Sequence, residues 1–170
     1  MKIDILFLDN DLSDHEEYFD NQTIKEYCET HSFEGEKNQI LSVPPSYSKS
    51  QNLTFLVGLG ENKVDNNFYD IGTLIGSKIK SDAEIKFLNF EEEKSLIIDG
   101  ILYVQYKFNN YKSEDDSSIN NITFKNIDSF VNEIKKDSVF WVRDLINTPA
   151  LDKSPEEFIN KVRELVDSSG

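Results

Sequence analysis

Among the residues able to do chemistry, the pair His15-Glu16 stands out first. A zinc-binding helix needs a second His four positions after the first, so that two imidazoles meet one ion while the Glu between them moves a proton. Position 19 is Phe, and Asp11, Asp14, Glu16 and Glu17 then read as a solvated acidic face within residues 9–20. Cys28 and His31 have a ligand-like spacing, yet one such pair supplies at most two of the roughly four ligands of a structural zinc.

The third pattern is Gly58-Leu59-Gly60-Glu61-Asn62-Lys63. A strand that ends in glycines ahead of a helix aims free N–H groups and a helix dipole at one point, the arrangement that holds phosphates. This stretch lacks the third glycine of a dinucleotide fingerprint and the Gly-Lys-Ser/Thr of a P-loop, so it reads as a structural turn. A hydrolase needs a nucleophile with its base, a carboxylate pair in a pocket, or a metal with an open coordination position. No Gly-x-Ser-x-Gly or His-Glu-x-x-His occurs. The residues therefore suggest no catalytic, metal-binding or cofactor-binding group in this chain.

The elements that position these patterns follow from periodicity. Residues 3–8 form a short apolar run that opens the fold as a buried strand, and residues 39–43 suggest a second strand stopped by Pro44-Pro45. The continuous apolar run Leu53, Phe55, Leu56 and Val57 predicts a strand buried on both faces. A helix over about 65–80 carries Phe68, Ile71, Leu74, Ile75 and Ile79 as its stripe. Residues 83–90 alternate as a strand. A helix from the acidic triplet at 91–93 to about Tyr106 buries Leu96, Ile97, Ile101 and Leu102 or Val104, with Gly100 costing about 1 kcal/mol unless a neighbour packs on it. Residues 122–127 predict a last strand. Asp128 or Ser129 caps a long helix that carries Val131, Ile134, Trp141, Val142 and Leu145. The alternation predicts an α/β fold in three layers, a mixed, largely parallel sheet flanked by helices.

Composition limits the partners. The 170 residues carry a net charge of -14 with 38% hydrophobic residues, 12 Phe and 7 Tyr, the content of a globular chain. That field repels phosphate backbones, and no Lys/Arg cluster suits an anionic membrane, so neither nucleic acid nor membrane is expected as a partner. Cys28 is the single cysteine, which fits a reducing, cytoplasmic compartment. The N-terminal apolar run is interrupted by Asp4 and ended by Asp9, too short and acidic for a secretory signal, and the sequons at Asn21, Asn52 and Asn121 read as accidental.

The densest junction lies between Arg143 and Val162. Pro149 pushes Thr148 away from the α region, so the long helix should stop at about Asn147. Ser154-Pro155-Glu156-Glu157 starts a new helix, with Ser154 as N-cap, Pro155 at the first turn and Glu157 closing a capping box. Its apolar face, Phe158, Ile159, Val162, Leu165 and Val166, has almost no chain left to pack against.

RDLINTPA followed by SPEEF resembles the junction of the leucyl (cytosol) aminopeptidases, where a RDLVNTPAN-like turn and a TPE-like helix start join an N-terminal domain to the catalytic one. TFLVGLGENK resembles the family's strand ending in VGLG, and DGILYVQYKFNNYKS resembles its helix ending in a YRFDRYKS-like sequence. The chain departs at Leu151, where the family usually has Asn. The resemblance implies a macro-domain-like fold over residues 1–150, with residues 151–170 a linker helix leading to an absent C-terminal catalytic domain. It implies that the whole enzyme is a cytoplasmic hexamer, a hydrolase that removes N-terminal residues such as leucine with two divalent metals, zinc or manganese. In the family those metals are held by Lys, Asp and Glu of the C-terminal domain, including an NTDAEGR-like stretch; here Asn147-Thr148 is followed by Pro149. The chain itself is then non-catalytic and serves assembly and access to the active sites. Its junction residues are Arg143, Asp144, Asn147, Thr148, Pro149 and Ser154. Two other classes fit the residues: a free-standing macro-like module that binds a nucleotide or ADP-ribose at the 58–63 turn, and a structural or regulatory paralogue without the catalytic half.

Overall fold

Four parallel strands and one antiparallel edge strand make up a single sheet. The computed structural model describes residues 1–10, 17–61, 67–90, 93–108, 120–128 and 130–168. Within these, the elements run β1 (Lys2–Leu8), α1 (Asn21–Thr30), β2 (Ile40–Val43), β3 (Leu53–Gly58), α2 (Phe68–Lys78), β4 (Ala83–Phe87), α3 (Lys94–Tyr103), β5 (Ile122–Phe124), α4 (Phe130–Asn147) and α5 (Pro155–Ser168), with short 3-10 turns at Pro45–Tyr47 and Ala150–Asp152. The strand order is β2-β3-β1-β4-β5. Only β2 is antiparallel, to β3.

Alternation along β1 divides the core in two. Ile3, Ile5 and Phe7 join Phe55, Val57 and Ile85 under α2 and α3. Leu6 and Leu8 face the other way and join Leu56, Val43 and Phe33 under Ile24 and Cys28 of α1. The sheet is thus covered on both faces, the three-layer α/β arrangement expected from the alternating pattern.

α1 falls in a stretch to which the sequence pattern assigns no element, directly after the acidic residues 9–20. Asp20 caps it, accepting from the Thr23 N–H at 3.3 Å and the Thr23 hydroxyl at 2.7 Å. Ile24 and Cys28, one turn apart, are its buried contacts. The acidic positions at 11–16, the 62–66 stretch with Lys63, and the triplet positions 91 and 92 lie outside the described residues.

The α2–α3 contact buries Ile71, Ile75, Ile79, Ile97, Ile101 and Leu102 of the predicted stripes and corrects their edges. Leu74 on α2, and Leu96 and Val104 on or just after α3, are exposed. The buried faces centre instead on Gly72 and Gly76 of α2 and Gly100 of α3. A Cβ on Gly72 would collide with the Ile97 carbonyl oxygen, and one on Gly100 with the Tyr69 carbonyl oxygen. The two helix backbones therefore touch through glycine. Each glycine costs about 1 kcal/mol of helix propensity, which the close approach offsets by packing Ile71, Ile75, Ile97 and Ile101 together.

β4 and β5 end earlier than predicted, at Phe87 and Phe124. Beyond β4, Asn89 takes over the ladder with its side chain: its Oδ1 accepts from Phe7 N–H at 3.0 Å and its Nδ2 donates to Phe7 O at 2.7 Å. After β5, Asn126 adopts a left-handed φ of 59° that ends the strand.

α4 docks through polar groups. Asn132, 4% exposed, donates to Asp99 Oδ1 at 2.7 Å and to Ser95 on α3, and Lys135 lies 3.4 Å from Asp99 Oδ2. Of its predicted apolar stripe, Val131 is 61% exposed and Ile134 and Val142 about half exposed, while Trp141 and Leu145 are partly buried; Ile146, in the last turn, is 70% exposed.

Candidate functional site

The glycine turn after β3 is the first candidate, because the carboxyl ends of parallel strands are where α/β sheets hold ligands. All three amides there are already used. Gly58 N–H donates to Gln39 O at 2.9 Å, Leu59 N–H to Leu8 O at 2.8 Å and Gly60 N–H to Gly35 O at 2.9 Å. Residues 35–39 lie directly on the turn, close enough that a Cβ on Gly58 would strike the Glu36 carbonyl. Gly60 is needed for its φ of 72°. Over Gly58 to Gly60 the turn packs against the 35–39 segment, and none of these three N–H groups is left to cradle a ligand.

Beside it, at the C-terminal end of α1, a cavity of about 600 Å³ is lined by Asn10, Lys25, Cys28, Glu29, Phe33 and Glu36 among others. Burial pushes the Cys28 thiol up to about 11, so it stays protonated at neutral pH and is a poor nucleophile. His31 does not join it as a ligand: its Nδ1 donates to Tyr27 O at 2.8 Å and its ring stacks on Tyr27 at 4.1 Å. Buried carboxylates elsewhere are committed as well. Asp4, 2% exposed, accepts from Ser50 Oγ at 2.5 Å and Asn52 Nδ2 at 3.2 Å, and Asp99 is held by Asn132 and Lys135. Among the described residues no three His, Cys, Asp or Glu side chains converge.

The second candidate is the junction, and here the structure brings the predicted residues together around one that the sequence did not single out. Tyr106, just beyond α3, donates its hydroxyl to Asp144 Oδ1 at 2.8 Å and accepts from Asn147 Nδ2 at 3.0 Å. The Arg143 guanidinium lies 5.3 Å from the Tyr106 ring centroid and donates to Tyr103 O at 3.1 Å. It thus combines a cation–π contact with a cation at the C-terminal end of α3. Phe140 meets the same ring edge-on at 5.1 Å. Arg143 and Asp144 both serve Tyr106, one through its ring and the other through its hydroxyl. Loss of solvation holds the Tyr106 phenol above its ordinary value; the Asn147 bond opposes this, the bond to Asp144 and its charge add to it, and Arg143 also opposes. The phenol therefore keeps its proton at neutral pH.

The chain leaves α4 under similar control. Thr148, 5% exposed, donates from both N–H, at 2.9 Å, and Oγ1, at 2.7 Å, to Asp144 O. Pro149 then starts the 3-10 turn. Lys153 Nζ reaches back to Leu145 O at 2.6 Å, a cation at the last turn of α4. Ser154 Oγ accepts from Glu157 N–H at 3.1 Å, the expected N-cap of α5. Tyr106 and Lys153 escaped the sequence reading. The stretch YVQYKF marks the first by its place after α3, but nothing in the spacing joins it to α4.

No family model matches the sequence, and no curated protein matches it significantly. The architecture does have close counterparts among solved structures. Cytosol aminopeptidase from Coxiella burnetii superposes with a TM-score of 0.72 at 22% identity, covering 99% of this chain and 36% of that one. A mutant of tomato leucine aminopeptidase gives a TM-score of 0.68 at 15% identity over 98% of this chain and 39% of that one. The bottromycin maturation enzyme BotP in complex with Mn gives 0.68 at 13% identity over 99% and 36%. The class is therefore an α/β fold with a mixed, mostly parallel five-stranded sheet. More particularly, the chain has the fold of a part of the leucine and cytosol aminopeptidases, and it spans a little over a third of their length.

Proposed function

We propose that this chain is the N-terminal, non-catalytic domain of a leucyl aminopeptidase, a hydrolase that releases N-terminal residues from peptides. The observation that carries the reading is the likeness of 98–99% of the chain to only 36–39% of such enzymes. The remainder would be the C-terminal catalytic domain, holding two divalent metals, zinc or manganese; the Mn in the BotP complex supports the choice of metal. Residues 1–150 form the domain proper, and 151–170 lead into the catalytic half. Arg143, Asp144, Asn147, Thr148, Pro149 and Ser154 form the boundary between them. The uncovered stripes of α4 and α5 supply apolar surface for that partner domain and for assembly into a hexamer in the cytoplasm. No helix among the described residues is long and apolar enough to cross a membrane.

The buried carboxylates Asp4 and Asp99 are held by neighbouring side chains, which supports a role for this part in assembly and in access to active sites elsewhere. Determining the coding sequence downstream of Gly170 tests the proposal. Lys, Asp and Glu residues spaced to hold two metals are expected there. A stop codon directly after Gly170 overturns it in favour of a structural or regulatory paralogue without the catalytic half.

A further inference from the structure

We infer that the junction is a rigid elbow referenced to α3 by Tyr106, and not the flexible linker that its short, exposed loop suggests. Three elements meet in one set of contacts. Tyr106 ties the end of α3 to Asp144 and Asn147 in the last turn of α4, and Arg143 from the same turn closes the C-terminal end of α3 through Tyr103 O. Asp144 then passes the restraint forward, because its carbonyl takes both donors of buried Thr148. Lys153, on the far side of the 3-10 turn, folds back onto Leu145 O and Ile146 O, and its neighbour Ser154 starts α5. From α3 to the first turn of α5 no step is spanned by unrestrained backbone, although Leu151 at the tip is 96% exposed. A flexible connection keeps its polar groups in water and pays no ordering entropy; here side chains from both ends satisfy the last carbonyls of α4.

Tyr106 is therefore a positioning residue: it sets the direction in which α5, and whatever follows it, leaves the sheet. A displacement of α3 would be passed to α5 with little loss, and the reverse holds as well. The inference concerns this chain alone and stands or falls separately from the aminopeptidase reading.

Spin labels at Leu96→Cys on α3 and Glu164→Cys on α5, both exposed, report the elbow directly; the native Cys28 is buried and protonated. The parent protein should give one narrow distance distribution. Tyr106→Phe, which keeps the ring and removes only the hydroxyl, and Lys153→Met should each broaden it toward the spread of a flexible linker. Hydrogen exchange at Thr148 should accelerate about fivefold, the loss of one hydrogen bond, while amides of β1 and β3 stay unchanged. Asp144→Asn retains an acceptor for the phenol and should stay narrow. A parent distribution already broad overturns the elbow, and broadening in Lys153→Met without broadening in Tyr106→Phe overturns the role of Tyr106. Unchanged distributions in both variants overturn the roles of Tyr106 and Lys153.

Discussion

Asn132 on α4 reaches Asp99 on α3 at 2.7 Å in a site where both residues are almost fully buried. This contact, with Lys135 as the partly exposed counter-charge, carries the docking of a helix whose apolar residues mostly face outward.

Asn132→Ala should cost about 1–3 kcal/mol, because it removes a donor from a buried carboxylate and leaves Ser95 O without the same amide. Urea unfolding gives the value. A loss below a few tenths of a kcal/mol would show that packing elsewhere on α4 holds it in place.

Gly100→Ala sets two effects against each other. Alanine gains about 1 kcal/mol of helix propensity, but its methyl would meet the Tyr69 carbonyl, the Thr73 amide and Gly72. Those are backbone atoms that cannot rotate away, so overpacking should win and destabilise by about 1–3 kcal/mol. A rise in Tm for this variant would mean that the α2–α3 pair can part without loss.

Titration with ADP-ribose, ATP and NAD should give no saturable heat at sub-millimolar concentrations. The reason is structural: the amides of Gly58, Leu59 and Gly60 already donate to Gln39, Leu8 and Gly35. A micromolar Kd would return the chain to the class of nucleotide-binding modules.

The isolated chain should self-associate as its concentration rises. Phe158, Ile159, Leu165 and Val166 of α5 are roughly half exposed, and each is worth about 1.5–3 kcal/mol when fully buried. Sedimentation together with hydrogen exchange decides the matter. A strict monomer with amides over 158–166 as protected as β1 and β3 would show that α5 is satisfied within its own chain.

What could be read in the sequence was local. The run Leu53 to Val57 announced a buried strand because its neighbours along the chain carry the signal, and Ser154 announced α5 because a cap and its acceptor are three residues apart. α1 was missed because its amphipathic signal reduces to Ile24 and Cys28 in polar surroundings, with Asp20 as the one start signal. The α2–α3 face was legible in Ile71, Ile75, Ile97 and Ile101, but its edges at Leu74 and Leu96 were not, because large apolar residues outweigh glycine in a periodic reading, whereas the backbones approach through Gly72, Gly76 and Gly100. The junction residues were legible as a boundary, but Tyr106 and Asp144 stand 38 positions apart. No pattern in either segment encodes that bond.

The central place of β1 has a consequence for how the chain comes into being. This strand is synthesised before both of its neighbours, β3, with Ile3 opposite Leu53, and β4, with Ile3 opposite Ile85. An apolar ribbon therefore emerges from the ribosome and waits through most of the first half of the chain before either edge is paired. Parallel, non-local pairing of this kind folds slowly and leaves early strands open to wrong partners. The acidic residues made directly after β1, among them Asp9, Asp20, Glu26 and Glu29, then act before there is any fold to solubilise, keeping nascent copies apart while β1 is still bare.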